Sequence, residues 1–170
     1  MNLVKISGTD HVQGSADAPI TLIEYADYQC PYCRQAYYIV KDLQKHLGHQ
    51  LQFCFRNYPL QDLHPHALHA AVAAETADME GKFWEMHDKI FENQRLLDDR
   101  SLLNYAIAIG LDENKFIKDF GADAPANKIQ ADLDSGNEAK VEATPTFFVN
   151  GQLFEGNWTT DELLNYLKSL

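Results

Sequence analysis

The chain has 170 residues, 45% of them hydrophobic, which suits one domain with a core of its own. Twenty-five acidic against fourteen basic side chains leave a formal charge of -11. That balance argues against a nucleic-acid or anionic-membrane surface, either of which needs clustered Lys and Arg.

No apolar run approaches the ~18 residues of a membrane span. The opening Met-Asn-Leu-Val-Lys-Ile-Ser-Gly lacks the apolar stretch of an export signal. The chain as it stands is therefore expected in the cytoplasm, or in a periplasmic or other extracytoplasmic space as a trimmed mature form. "PITLIEYAD" (19–27) reads as a buried strand, apolar on both alternating faces. It runs directly into "YQCPYCR", after which Ala36, Val40, Leu43 and Leu47 recur at helical spacing, with Pro31 in the first turn and Gly48 as the stop. "LQFCFRNY" (51–58) is a second strand, expected to lie parallel to the first. Its Cys54 is expected to be a buried, inert thiol, since free Cys behaves as a small hydrophobe.

From about Pro65 to about Ala139 the pattern is helical throughout. "PHALHAAVAAETADME" is Ala-rich, "KFWEMHDKIFENQ" places Phe83, His87, Ile90 and Gln94 on one stripe, and "DRSLLNYAIAIG", "DENKFIKDFG" and "ANKIQADLDSGNEA" complete the block. Its charged positions are expected to be solvated faces. Strand character returns in "TPTFFVNGQLFEG" (144–156), where Asn150-Gly151 predicts a type I′ hairpin. The capping box Thr159-Thr-Asp-Glu162 then opens a helix marked by Leu163, Leu164 and Leu167.

A zinc or iron–sulfur centre needs about four ligands, and one CxxC without a second pair does not complete that set. His64, His66 and His69 in "HPHALH" sit at a helix start, and no metal or other cofactor is expected. A disulfide across four residues would constrain the unfolded chain little. A redox pair fits better, because CxxC at a strand-to-helix junction is a thioredoxin-like signature. Cys30 at the helix start meets orphan N–H groups and the positive end of the dipole, both of which favour its thiolate. Cys33, one turn in, is expected to be more buried and suited to resolving a mixed disulfide. Glu24 interrupts the apolar strand on the face of Ile20 and Leu22. It is either a strand-edge carboxylate reaching water or a buried acid that takes the Cys33 proton. Pro145, after Thr144, either begins a strand innocently or makes a cis bond beside the cysteines that presents backbone to an extended substrate.

With these stretches in hand, the chain resembles the DsbA-like branch of the thioredoxin superfamily. "EYADYQCPYC", "RNYPLQDLHPHALHAA", "GKFWEMHDKIFENQ" and "ATPTFFVNG" carry the resemblance, in that order, over roughly residues 10 to 168. It implies an α/β thioredoxin fold with an inserted helical domain, the frame at 1–62 and 140–170 and the insertion at 63–139. It also implies Cys30 as attacking thiol, Cys33 as resolving thiol, Glu24 as the buried acid and Pro145 as the cis-proline, with Pro31, Tyr32, Thr144 and Pro145 meeting substrate. Tyr32 stands where the periplasmic DsbA has His, and Tyr cannot be cationic. Cys-Pro-Tyr-Cys also occurs in glutaredoxins, which lack so long an insertion. The implied activity is disulfide exchange with protein or peptide thiols, as an oxidase or, in the alternative, as a cytoplasmic reductase. A non-catalytic peptide-binding module and a soft-metal carrier stand as rivals from other classes. A redox partner protein or glutathione is expected to recycle the pair, and the chain is expected to be a monomer.

Overall fold

A computed structural model describes residues 3–170; Met1 and Asn2, part of the stretch read for an export signal, lie outside the described residues. Five strands form one mixed sheet in the order β1-β3-β2-β4-β5. They are β1 (His11–Gln13), β2 (Ile20–Ala26), β3 (Leu51–Asn57), β4 (Thr146–Val149) and β5 (Gln152–Leu153). β2 and β3 pair in parallel, with Glu24 opposite Phe55, and the other pairings are antiparallel. The helices are α1 (Pro31–Leu47), α2 (Ala67–Asp78), α3 (Phe83–Glu92), α4 (Asp99–Ala108), α5 (Glu113–Phe120), α6 (Asp123–Glu138) and α7 (Thr160–Lys168). Helices α2 to α6 all fall between β3 and β4 in the chain. None of the described helices is long and apolar enough to cross a membrane.

The two-residue period of β2 divides the core. Ile20, Leu22 and Ala26 join the large cluster that holds the buried side of α1, the Ala-rich α2, the aromatic side of α3 and the leucines of α7. Ile23 and Tyr25 point the other way, with Cys54, Tyr58 and Phe148. Glu24 therefore lies on the face that carries α1. On the opposite face Gly136 of α6 lets the helix approach two rings: a Cβ there would lie 2.6 Å from Tyr58 Cε2 and 3.2 Å from Tyr25 Cδ1. The Asn150-Gly151 turn has φ of +47° and +84°, the left-handed pair that the hairpin requires.

Three features differ from the sequence reading. β1 had no strand signal, because three residues with two polar side chains show no usable alternation. α6 begins at Asp123 rather than Ala126, since Pro125 is accommodated in its first turn, where a missing N–H costs little. The charged positions of the helical block are also not all solvated. Glu75 is 4% and Asp132 is 3% exposed. Asn57 at the end of β3 donates from Nδ2 to Glu75 at 2.7 Å and to Asp132 at 3.0 Å, and its backbone N–H donates to Asp132 at 2.9 Å. His11 of β1 meets Glu75 at 2.8 Å, and Lys128 pairs with Asp132. These pairings explain why carboxylates are tolerated there: a buried charge persists where it is paired and hydrogen-bonded. They also fasten α2 and α6 to the sheet.

Candidate active site

The chain leaves β2 at Ala26 and turns tightly, with the Cys30 N–H donating to the Asp27 carbonyl at 3.1 Å. Cys30 is the N-cap of α1, in extended conformation, and Pro31 opens the helix. The Cys30 side chain caps no backbone N–H, so its sulfur faces helix-start donors that no side chain has satisfied. Cys30 keeps 4% exposure and Cys33 none. All three cysteines are free thiols.

Their environments separate the two thiols of the pair. Cys30 is lowered to about 5, first because the Cys33 thiol hydrogen-bonds to it; burial opposes this, and the N–H groups of Cys33 and Tyr32 assist. Cys33 is pushed well above the ordinary thiol range, first by burial, then by its bond to Cys30 and by the charges of Glu24 and Cys30. Only the Asp27 N–H, 3.4 Å from Cys33 Sγ, works in the other direction. Cys54 is fully buried and is likewise pushed far up, chiefly by burial.

Glu24 is 2% exposed and its Oε1 has no hydrogen-bond partner among the described residues. Burial, and after it the Cys30 thiolate, raise its carboxyl to about 8. It is thus a buried acid, not a strand-edge carboxylate reaching water. The Thr144–Pro145 bond is cis. The Cys30 thiol donates to the Thr144 carbonyl at 3.5 Å, and the Thr144 hydroxyl is buried without a partner. Pro31 is exposed, and Tyr32 is 61% exposed.

Two residues at this site escaped the sequence reading. Gln94, placed on the α3 stripe, lies just past the end of α3, and its Nε2 donates to the carbonyls of Tyr28 and Cys30, both at 2.8 Å. The helical segment thereby grips the backbone of the first cysteine. Asp27 is buried and accepts from the N–H groups of Gln29 and Leu60 at 2.7 and 2.8 Å and from His64 Nδ1 at 2.8 Å. Of the "HPHALH" histidines, His64 is engaged in this way and His69 meets Asp99 at 2.6 Å. The group best placed to hold a metal among the described residues is instead His11, Glu75 and Asp78, whose ligand atoms lie within 4.8 Å of one another. His11 and Glu75 there already bond to each other.

A parallel β2–α1–β3 unit, an antiparallel β4–β5 return and a cysteine pair at the head of α1 define a thioredoxin fold, and the helices α2 to α6 between β3 and β4 mark its DsbA-like class. A thioredoxin family model matches residues 6–169, and the chain belongs to that family. Among solved structures it is similar to BdbD from Bacillus subtilis in oxidised form, at 25% identity and TM-score 0.82, covering 93% of this chain and 90% of that one. The thiol-disulfide exchange protein alpha-DsbA2 from Wolbachia pipientis matches at TM-score 0.83 and 22% identity, covering 95% and 87% of the two chains. A curated relative, the Na(+)/H(+) antiporter NhaA 1 of Mycobacterium sp. (strain KMS), is 36% identical over 162 residues, which are 94% of this chain and 26% of that protein. The chain thus spans about a quarter of the length of the curated relatives it matches.

Proposed function

We propose that the chain is a thiol–disulfide oxidoreductase that exchanges disulfides with protein or peptide thiols through Cys30 and Cys33, acting as a DsbA-like oxidase. The observation that carries this reading is the division of labour within the pair: Cys30 is lowered to about 5, whereas Cys33, three residues on, is inaccessible and pushed far up. A thiolate is the attacking species, and the thiol of lower pKa is also the better leaving group.

In the oxidising direction a substrate thiolate attacks Cys30 of the Cys30–Cys33 disulfide. A substrate–Cys30 disulfide forms, the internal S–S bond breaks, and Cys33 leaves with the electron pair, taking a proton from Glu24. A second substrate thiolate then displaces Cys30, so two electrons pass to the protein and the substrate carries the new disulfide. In the reducing direction Cys30 attacks a substrate disulfide, and Cys33 gives its proton to Glu24 and closes the internal bond. Glu24 suits both directions. Its raised value owes part to the Cys30 thiolate, and that charge is absent in the mixed disulfide, which makes the carboxylate more available when Cys33 must lose its proton. Near pH 7 a carboxyl at about 8 is mostly protonated, so it opposes the Cys30 thiolate little, and this favours the dithiol and hence the oxidase.

Pro31 and Tyr32 on one side of Cys30, and Thr144 and Pro145 on the other, form the proposed substrate surface. The frame at 1–62 and 140–170 supplies the cysteines, Glu24 and this surface, and the insertion at 63–139 positions them through Gln94. Recycling falls to a redox partner protein or glutathione, and the working unit is a monomer. An oxidase role places the chain in an oxidising compartment. The test is trapping followed by equilibration. The Cys33→Ser protein should accumulate mixed disulfides with reduced substrate proteins, and Cys30→Ser should not; the opposite pattern reverses the assignment. Equilibration of the wild-type pair against glutathione buffers fixes direction, and an oxidised form several kcal/mol more stable than the reduced one would move the chain to the reductase class.

A further inference from the structure

A cleft of about 680 Å³ opens beside the redox pair, between the first turns of α1 and the segment after α3. Pro31, Arg34 and Tyr38 line one wall, and Glu92, Gln94 and Arg95 line the other. It is continuous with the site through Gln94, which hydrogen-bonds the Cys30 carbonyl, and through Arg34, whose N–H donates to the same carbonyl at 3.2 Å. Arg34 lies in the first turn of α1, four residues after the Cys30 N-cap.

The charge of this cleft runs against that of the protein. In a chain of net charge -11, two exposed guanidiniums line one cleft. Neither has a carboxylate partner: the Lys and Arg ion pairs among the described residues are made by Lys41, Arg56, Lys115 and Lys128. Arg34 is held in place by its Nε–H, which donates to the Phe91 carbonyl at 3.2 Å, and by the Tyr38 ring, whose centroid is 5.4 Å from the guanidinium carbon. Among the described residues its terminal N–H groups make no hydrogen bond. The single acid of the cleft, Glu92, accepts from the Tyr37 hydroxyl at 3.3 Å.

We propose that this cleft is a substrate subsite for a carboxylate: an Asp or Glu side chain of a peptide or protein segment, within about two residues of the cysteine that reacts with Cys30. An extended chain advances ~3.3 Å per residue, so a side chain one or two residues from the reacting cysteine is near enough to enter the cleft that begins at Pro31. Guanidinium suits this task because its forked donors match a carboxylate. The inference rests on the redox reading above and adds substrate selection to it.

The test uses the full chain carrying Cys33→Ser and two synthetic cysteine peptides activated as 2-pyridyl disulfides. One peptide has Asp and Glu flanking the cysteine; the other has Asn and Gln at the same positions. The Cys30 thiolate attacks the peptide sulfur, the Cys30–peptide disulfide forms, and the peptide–pyridyl S–S bond breaks. Pyridine-2-thiolate leaves with the electron pair, takes a proton from water and is followed by absorbance as the thione. The acidic peptide should react roughly three- to tenfold faster than the amide peptide, the size expected of two exposed ion pairs. The ratio should fall toward one at high salt and in R34Q/R95Q, and rise in E92Q. A control with the same charge change elsewhere, K118Q/K168Q, should keep it. A ratio of about one in the parent, a ratio that survives R34Q/R95Q, or equal loss in the control overturns the subsite. Absence of thione release from both peptides overturns the redox reading instead, so the two failures are distinct.

Discussion

Replacing Glu24 with Gln removes one proton equilibrium and leaves the side chain's shape nearly unchanged, so its effect on stability is readable as a pH dependence. In the folded chain Glu24 is raised to about 8 from an ordinary 4.5, chiefly by burial. A group whose folded value is raised adds relative stability in full below its unfolded value, and loses it as pH climbs through the folded one. The wild-type contribution is therefore present below about pH 4.5 and gone above about pH 8. With ~1.36 kcal/mol per unit, the loss between pH 5 and pH 7 is at most about 2.5 kcal/mol. Cys30 acts with the opposite sign. Its folded value is depressed to about 5, so its contribution is full above about pH 9 and is lost as pH falls through 5. In the reduced protein the two slopes oppose each other between about pH 5 and pH 8, and in Glu24→Gln only the Cys30 slope survives. Urea unfolding of both reduced proteins at several pH values in that window measures the difference directly, since every other titrating group is common to both. The stability of Glu24→Gln minus that of wild type should rise steadily with pH, by up to about 2.5 kcal/mol from pH 5 to pH 7. Any fixed cost of a buried Gln shifts the line without tilting it. Parallel pH profiles would refute a buried, titrating Glu24 and with it the assigned proton acceptor.

Iodoacetamide should alkylate reduced native Cys30 with a midpoint near pH 5, and Cys33 and Cys54 should stay unmodified through pH 8, as mass mapping of the labelled protein will show. Alkylation of Cys54 at a rate comparable to Cys30 would contradict the burial argument. Gln94→Ala leaves the Tyr28 carbonyl without its donor, removes one of three donors to the Cys30 carbonyl, and should cost about 1–3 kcal/mol in denaturant unfolding; an unchanged midpoint would show that the clamp is dispensable. Gly136→Ala drives a methyl into the Tyr58 ring and should destabilise by about 1–3 kcal/mol despite the better helix propensity of Ala. A stabilised Gly136→Ala protein would mean that α6 docks more loosely than its rings suggest.

The parts of the site that depend on local pattern were legible in the sequence, and those that depend on long-range pairing were not. The run from β2 through Cys30 into α1 shows because a strand period gives way to a helix period at a proline that suits only the first turn. Asn150-Gly151 shows because few dipeptides satisfy two positive φ angles. Gln94 gives no such signal: a polar residue at the end of an amphipathic stripe reads the same whether it meets water or two carbonyls 64 and 66 residues away. Glu75 and Asp132 read as solvated charge for the same reason, since the partners that bury them, His11 of β1 and Asn57 at the end of β3, are distant in sequence. Glu24 falls between these cases. Its place on the Ile20–Leu22 face is a matter of period-two counting, but whether that face is covered at its level depends on α1 folding back over it.

The proposed direction of electron flow follows from which charge the fold tolerates. A thiolate at the head of α1 gains from the Cys33 thiol and the N–H groups of Cys33 and Tyr32, and a neutral disulfide sulfur draws less from the same donors. Tyr32 adds no cation, so the whole effect comes from hydrogen bonds and the helix terminus. From an ordinary value of 9 to about 5, the thiolate contributes at most about 2.7 kcal/mol to the dithiol at pH 7, which is about 60 mV for a two-electron couple. An ionised Glu24 would cancel part of this, and burial keeps it mostly protonated at that pH. In the proposed mechanism the two carboxyl states therefore serve different steps. The neutral acid leaves the resting thiolate undisturbed. The carboxylate becomes accessible once a mixed disulfide has removed the neighbouring charge, at the moment when Cys33 has a proton to lose.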